Sequence, residues 1–133
     1  MLDFKEMEGL RLQARYESAL IALGADFIIL RVKRFLLVNG GGYSQKALAE
    51  LLDVPRRTLG QRVALCVEWG AMRVESDGVH LTSDGRAMFS QVHKEALAIS
   101  NGQVKGFSPD LVSGFARLAP DRCDPQKALS VAF

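Results

Sequence analysis

Pro55 is the first proline in the chain, and the residues around it do most to limit what the chain can fold into. Before it, Ser44 stands where an N-cap belongs, and residues 45–52 carry Ala47, Leu48, Leu51 and Leu52 as the apolar side of a short helix. Asp53-Val54-Pro55 leaves room only for a tight turn. Proline suits the first turn of the next helix, where its missing N–H costs nothing. That helix extends to about Trp69, and Gly70 stops it. Met72 to Ser76 and Val79 to Leu81 then flank Asp77-Gly78, a strong short-range hairpin signal. Ser83 is placed to cap a long helix from Asp84 to about Ser100, with Ala87, Met88, Val92, Ala96, Leu97 and Ile99 as its apolar set. The order helix, tight turn, helix, hairpin, helix is that of a helix-turn-helix with a wing.

The flanks read as helix. Asp3 and Glu6 are three apart, as a capping box requires. Met7, Leu10, Ala14, Tyr16, Leu20, Ile21 and Leu23 follow at mostly helical spacing. Gly24 marks a break, and Asp26 stands near the next start. Phe27 to Val38 is apolar on most faces, which puts it deep in a core or at a subunit contact. The run Phe27-Ile-Ile-Leu30 also suits a buried strand, because short apolar runs are ambiguous. Asn39-Gly-Gly-Gly42 is expected to end that helix and supply a flexible connection; it lacks the GxxxxGK pattern of a phosphate loop. Ser108-Pro109-Asp110 starts a further helix through Leu111, Val112, Phe115 and Leu118. Pro125 opens a last turn through Leu129, Val131 and Phe133. The expected architecture is one domain over residues 1–133, mainly α with a small β-hairpin. Residues 1–42 form N-terminal helices, 43–92 the winged helix-turn-helix, and 93–133 a C-terminal helical extension.

The second helix, 55–69, carries the chemistry. Leu59, Val63, Cys66 and Val67 share one face. Arg57, Thr58 and Gln61 lie opposite, Arg62 lies at the margin, and Arg56 sits in the first turn. A helix fits the major groove of DNA, and N-terminal residues of such a helix reach base edges. Arginine pairs bidentately with guanine and glutamine with adenine. Ser44, Lys46 and Arg73 are placed for phosphate contact. Net charge is only +2, and residues 44–93 carry six basic and six acidic side chains, so bulk charge names no partner. The placement does more, since no acidic residue lies between Asp53 and Glu68.

This segment resembles the winged-helix domain of MarR-type transcriptional regulators. The matching positions are Leu48, Ala49, Leu52, Val54, Thr58, Leu59, Val63 and Gly70. Leu81-Thr82 with Gly85-Arg86 is similar to the family's start of the helix after the wing. The likeness covers the middle third of the chain and extends loosely to its flanks. It implies a homodimer with intertwined terminal helices, binding double-stranded DNA as a sequence-specific transcriptional regulator, with half-sites ~34 Å apart. It leaves room for a small-molecule effector that no residue pattern identifies. Family wings often carry an arginine near the tip. Here the tip is Ser76-Asp77-Gly78, and Arg73 at the base is the only basic residue on either strand. The alternative reading is a protein–protein interaction module or accessory subunit, suggested by that acidic tip.

Other chemistries find little support. No GxSxG, HExxH or Cys–His nucleophile pattern occurs, and the carboxylates are scattered, so no enzyme and no cofactor is expected. Cys66 and Cys123, 57 residues apart, make neither a disulfide framework nor a metal pair, and they suit a reducing, cytoplasmic setting. Cys66 reads as a small buried hydrophobe and Cys123 as more exposed. His80 and His93 read as surface residues of a strand and a helix, sharing no standard zinc spacing with the cysteines. No signal peptide is read at the N-terminus, and Asp26, Arg31, Lys33 and Arg34 make Ala19 to Val38 a poor membrane span.

Overall fold

Capping chemistry decides where the helices begin. The computed structural model describes residues 3–131. Asp3 and Glu6 close the capping box, with Glu6 N–H donating to Asp3 Oδ1 at 2.8 Å, and helix α1 runs Phe4–Leu23. Gly24 ends it in the left-handed region at φ 81°. Helix α2 is Phe27–Asn39. The Phe27–Leu30 run is helical because the Asp26 carboxylate accepts the Ile28 and Ile29 N–H groups at 2.9 and 3.1 Å. Helix α3 is Gln45–Leu52, and Ser44 Oγ accepts the Ala47 N–H at 3.1 Å. The other elements are α4 (Arg56–Glu68), β1 (Met72–Glu75), β2 (Gly78–Leu81), α5 (Ser83–Ser100), α6 (Pro109–Leu118) and α7 (Pro125–Leu129). The chain divides into two compact units, Asp26–Ser90 and Met1–Ala25 with Gln91–Phe133. Among the described residues no helix is long and apolar enough to cross a membrane.

In the unit Asp26–Ser90, α2 packs on α3, α4 and β2, and α3 packs on α4. Its core takes Ile29, Val32 and Leu36 from α2, Leu48 and Ala49 from α3, and Leu59, Val63 and Cys66 from α4. Val54, Ala71, Met72, Val79, Leu81 and Phe89 complete it. Each fully buried side chain of this kind stabilises the fold by ~1.5–3 kcal/mol. Three expected core positions face water instead. Leu51 is 58% exposed and Val67 42%, and Ala87 is exposed as well. At about 100° per residue, the buried arc of α3 is centred on Leu48, Ala49 and Leu52, and Leu51 falls to its side. Ala49 and Phe89 are buried instead.

The hairpin differs from expectation by one residue. Glu75 pairs with Gly78, Val74 with Val79, Arg73 with His80 and Met72 with Leu81, so the loop is Ser76-Asp77 and Gly78 opens β2. A Cβ at Gly78 would stand 2.4 Å from the Tyr43 carbonyl, so only glycine fits this register. The Gly40–Gly42 stretch is not a slack linker. Tyr43 bridges Val79, with Val79 N–H donating to Tyr43 O at 2.8 Å and Gly42 N–H to Val79 O at 3.0 Å. Thr82 rather than Ser83 caps α5, its hydroxyl accepting the Gly85 N–H at 2.9 Å.

In the other unit, α1 has two apolar faces. Ala19, Leu20 and Leu23 are buried, while Met7, Leu10 and Ile21 are 51%, 58% and 62% exposed. Tyr16 hydroxyl meets His93 Nδ1 at 2.7 Å. Val92, Ala96 and Ile99 form the buried face of α5 here, and Leu97, expected among them, is 41% exposed. Glu95 holds the start of α6 by accepting the Ser108 N–H at 2.6 Å and its hydroxyl at 3.1 Å. Val112 and Phe115 are buried, as their spacing predicts. Cys123 is buried, contrary to expectation; its N–H donates to Ala119 O at 2.9 Å. Phe133 and the side chain of Leu118 lie outside the described residues.

Candidate nucleic-acid interface

Helix α4 and the turn before it set the geometry. Asp53 takes the left-handed conformation at φ 53°, and Val54 N–H donates to Ala49 O at 3.0 Å. Buried Val54 thereby pins the turn to α3. Pro55 is the N-cap residue of α4 and contributes no capping side chain. A helix start concentrates unsatisfied N–H groups and the positive end of the macrodipole, roughly half a unit charge. Arg56 and Arg57 are exposed at this end.

The outward stripe of α4 is Arg57, Gln61, Ala64 and Glu68, all exposed and spaced three or four apart. Thr58 is half-buried beside it. Gly60 faces α3, where a Cβ would make ordinary contact with Gln45 Oε1 at 3.4 Å. Lys46 is exposed on α3, and with Arg56 it borders a shallow groove of about 390 Å³. The opposite wall of that groove is the hairpin, from Val74 to Val79. Arg56 and Lys46 thus share this groove, and Arg57 and Gln61 are exposed on α4.

Three predicted residues have other engagements, and a fourth is partly covered. Arg62 Nε donates to Asp26 Oδ2 at 2.6 Å, with side chains only 18% and 9% exposed, so its guanidinium is committed to the start of α2. Ser44 Oγ is occupied as a cap. Arg73 Nε donates to Glu75 Oε1 at 2.6 Å on the hairpin surface. Thr58 is present but recessed. Nothing in the local pattern of Arg62 marks its partner, which lies 36 residues earlier in the chain.

The hairpin tip gathers a cluster that sequence reading did not assemble. His80 Nε2 lies 2.7 Å from Asp77 Oδ1 and 3.8 Å from Glu75 Oε2. The hydrogen bond from His80 holds the Asp77 carboxyl below its usual range. Strand alternation was the available signal, because Glu75 and His80 project from the same face of paired strands.

Both cysteines are free and buried. Burial, with the Asp26 charge, pushes the Cys66 thiol up to about 12. Burial and the neighbouring Asp124 charge raise Cys123. Nucleophilic cysteine chemistry needs the thiolate, which both surroundings disfavour. No family profile, no curated protein and no solved structure matches the chain.

Proposed function

We propose that the unit Asp26–Ser90 is a winged helix-turn-helix that binds double-stranded DNA as a sequence-specific transcriptional regulator, with α4 in the major groove. The observation that carries this reading is the outward stripe of α4. Arg57 and Gln61 stand one turn apart at the helix's positive end, beside Arg56 and Lys46. Arginine and glutamine present the bidentate donor and acceptor groups that distinguish guanine and adenine. The hairpin follows α4 directly, as a wing would.

The reading includes a homodimer. On α1, Met7, Leu10, Ala14, Glu17 and Ile21 follow one another at spacings of three and four on the exposed face. That is the seam spacing of paired helices, with one polar member. A dimer joined there carries two α4 helices, one for each half-site.

The test is selection of bound duplexes from a random-sequence pool, followed by anisotropy titration of the enriched site. Arg57→Ala or Gln61→Ala should weaken binding to that site by ~1–3 kcal/mol and flatten preference at one base pair. Failure to enrich any sequence, together with no effect of the paired Arg56→Ala/Arg57→Ala change, refutes the reading. The acidic hairpin tip favours a second reading, a protein-docking module. That reading predicts a stoichiometric protein partner recovered from nuclease-treated lysate and lost on Arg57→Glu.

A further inference from the structure

We infer that the hairpin tip is a binding site for one divalent transition-metal ion, held by His80 Nε2 and one carboxylate oxygen each from Asp77 and Glu75. The three donor atoms lie within 4.8 Å of one another. Tetrahedral zinc bonds nitrogen and oxygen at ~2.0–2.2 Å, so its ligand atoms stand ~3.3 Å apart. The present separations from His80 Nε2, 2.7 Å to Asp77 and 3.8 Å to Glu75, bracket that value. Shifts of about half an ångström, one opening and one closing, bring both separations from His80 Nε2 to that value, and the two carboxylate oxygens lie within 4.8 Å of each other.

Two further features prearrange the donors. Arg73 Nε holds Glu75 Oε1 at 2.6 Å, which leaves Oε2 as the oxygen turned toward His80. Outer partners of this kind orient ligating carboxylates. The glycine run after α2, whose sequence suggests only a linker, lies against the same cluster. A Cβ at Gly41 would stand 2.2 Å from His80 Nδ1, and one at Gly42 would stand 3.2 Å from Asp77 Oδ2. The bare backbone therefore gives the imidazole its seat, with Nε2 turned to the carboxylates.

The donor set defines the ion. One imidazole and two carboxylates favour Zn²⁺, Co²⁺ or Ni²⁺ over Mg²⁺ and Ca²⁺, which prefer oxygen alone. On binding, His80 coordinates through Nε2 as the neutral imidazole with its one ring proton on Nδ1, and any proton displaced from Nε2 passes to water. Water fills the remaining position. The cysteine-and-histidine spacings that exclude a zinc site in the sequence do not bear on this one, because its partners are carboxylates.

Cobalt is the probe, added to the metal-free, tag-free chain and followed by visible absorption and equilibrium dialysis. The expected result is saturable uptake of one equivalent with tetrahedral d–d bands. His80→Ala and Asp77→Asn should each weaken uptake at least tenfold, and His93→Ala should leave it unchanged. Zinc should raise the melting temperature of the wild-type chain and not that of His80→Ala, which also reports whether the variant is folded. Absence of saturable uptake overturns the inference. So does uptake that survives His80→Ala, or uptake lost in His93→Ala or Cys123→Ser, either of which places the ion elsewhere. None of these readouts uses DNA, so the site stands or falls apart from the proposed function.

Discussion

The Asp26–Arg62 pair offers the sharpest check on how charge is distributed over α4. Asp26 does two things at once. Its Oδ1 caps α2 by accepting the Ile28 and Ile29 N–H groups, and its Oδ2 accepts from Arg62 Nε at 2.6 Å. Replacing it with alanine removes a cap, at ~1 kcal/mol. It also leaves a guanidinium that is 18% exposed without its partner. Breaking a fully buried pair costs ~3–5 kcal/mol, and the residual water contact of Arg62 reduces that to ~1–3 kcal/mol. The total for Asp26→Ala is therefore ~2–4 kcal/mol. Asparagine keeps the capping oxygen and removes the charge, so Asp26→Asn should lose only ~1–2 kcal/mol. Urea denaturation of Asp26→Asn, Arg62→Met and the double variant closes a cycle free of the cap contribution. The coupling energy should be ~1–3 kcal/mol. A value within ~0.3 kcal/mol of zero would refute the argument, as would an Arg62→Met protein that keeps full stability yet loses DNA affinity.

Other consequences are equally direct. Ellman's reagent should find almost no reactive thiol in the native protein over minutes at neutral pH and two in urea, because burial pushes Cys66 up to about 12 and also raises Cys123; a fast-reacting native thiol would contradict this. Gly85→Ala should destabilise by ~1–3 kcal/mol despite better helix propensity, since its Cβ would stand 2.0 Å from the Ala71 carbonyl oxygen. Gly9→Ala, with nothing within 4 Å, should instead stabilise by ~0.5–1 kcal/mol, and urea midpoints that fail to move in opposite directions would sink the comparison. Leu10→Glu, on the exposed face of α1, should shift the sedimentation-equilibrium mass from two chains to one at micromolar concentration while leaving the helical CD signal intact; a mass that does not change removes α1 from the proposed dimer.

The parts of the fold legible in the sequence are those decided by neighbours in the chain. Asp3 with Glu6, Asp26 and Ser44 cap helices through groups two or three residues away, and each cap forms at its expected place. Periodicity located the helices but not their full orientation. Leu51, Val67 and Leu97 fit an apolar pattern and remain more than 40% exposed, because the buried arc depends on which element covers it. Thr82 displaced Ser83 as a cap because its hydroxyl also reaches the Gly70 carbonyl, across the hairpin. At the candidate interface the exposed stripe of Arg57 and Gln61 follows from the helix period alone. The commitments of Arg62 and the gathering of Glu75, Asp77 and His80 do not. They depend on strand register and on α2 crossing α4, relations that a linear pattern does not encode.

The same distinction bounds how strongly the proposed interface can depend on salt. Five basic side chains of the unit were candidates for phosphate or base contact, namely Lys46, Arg56, Arg57, Arg62 and Arg73. Two of them are held by carboxylates, Arg62 by Asp26 and Arg73 by Glu75. Lys46, Arg56 and Arg57 are exposed and make no ion pair among the described residues. Each phosphate neutralised on duplex DNA contributes about −0.9 to the slope of log K against log salt. If all five engaged phosphate, the slope would be about −4.5 per protomer; with three it is about −2.7. Arg57 reading a base edge rather than a phosphate brings it nearer −2. Anisotropy titrations across a salt series measure this slope. A value beyond about −4 per protomer would mean that Arg62 or Arg73 leaves its carboxylate on binding, and the ion pairs would then be switches rather than fixtures.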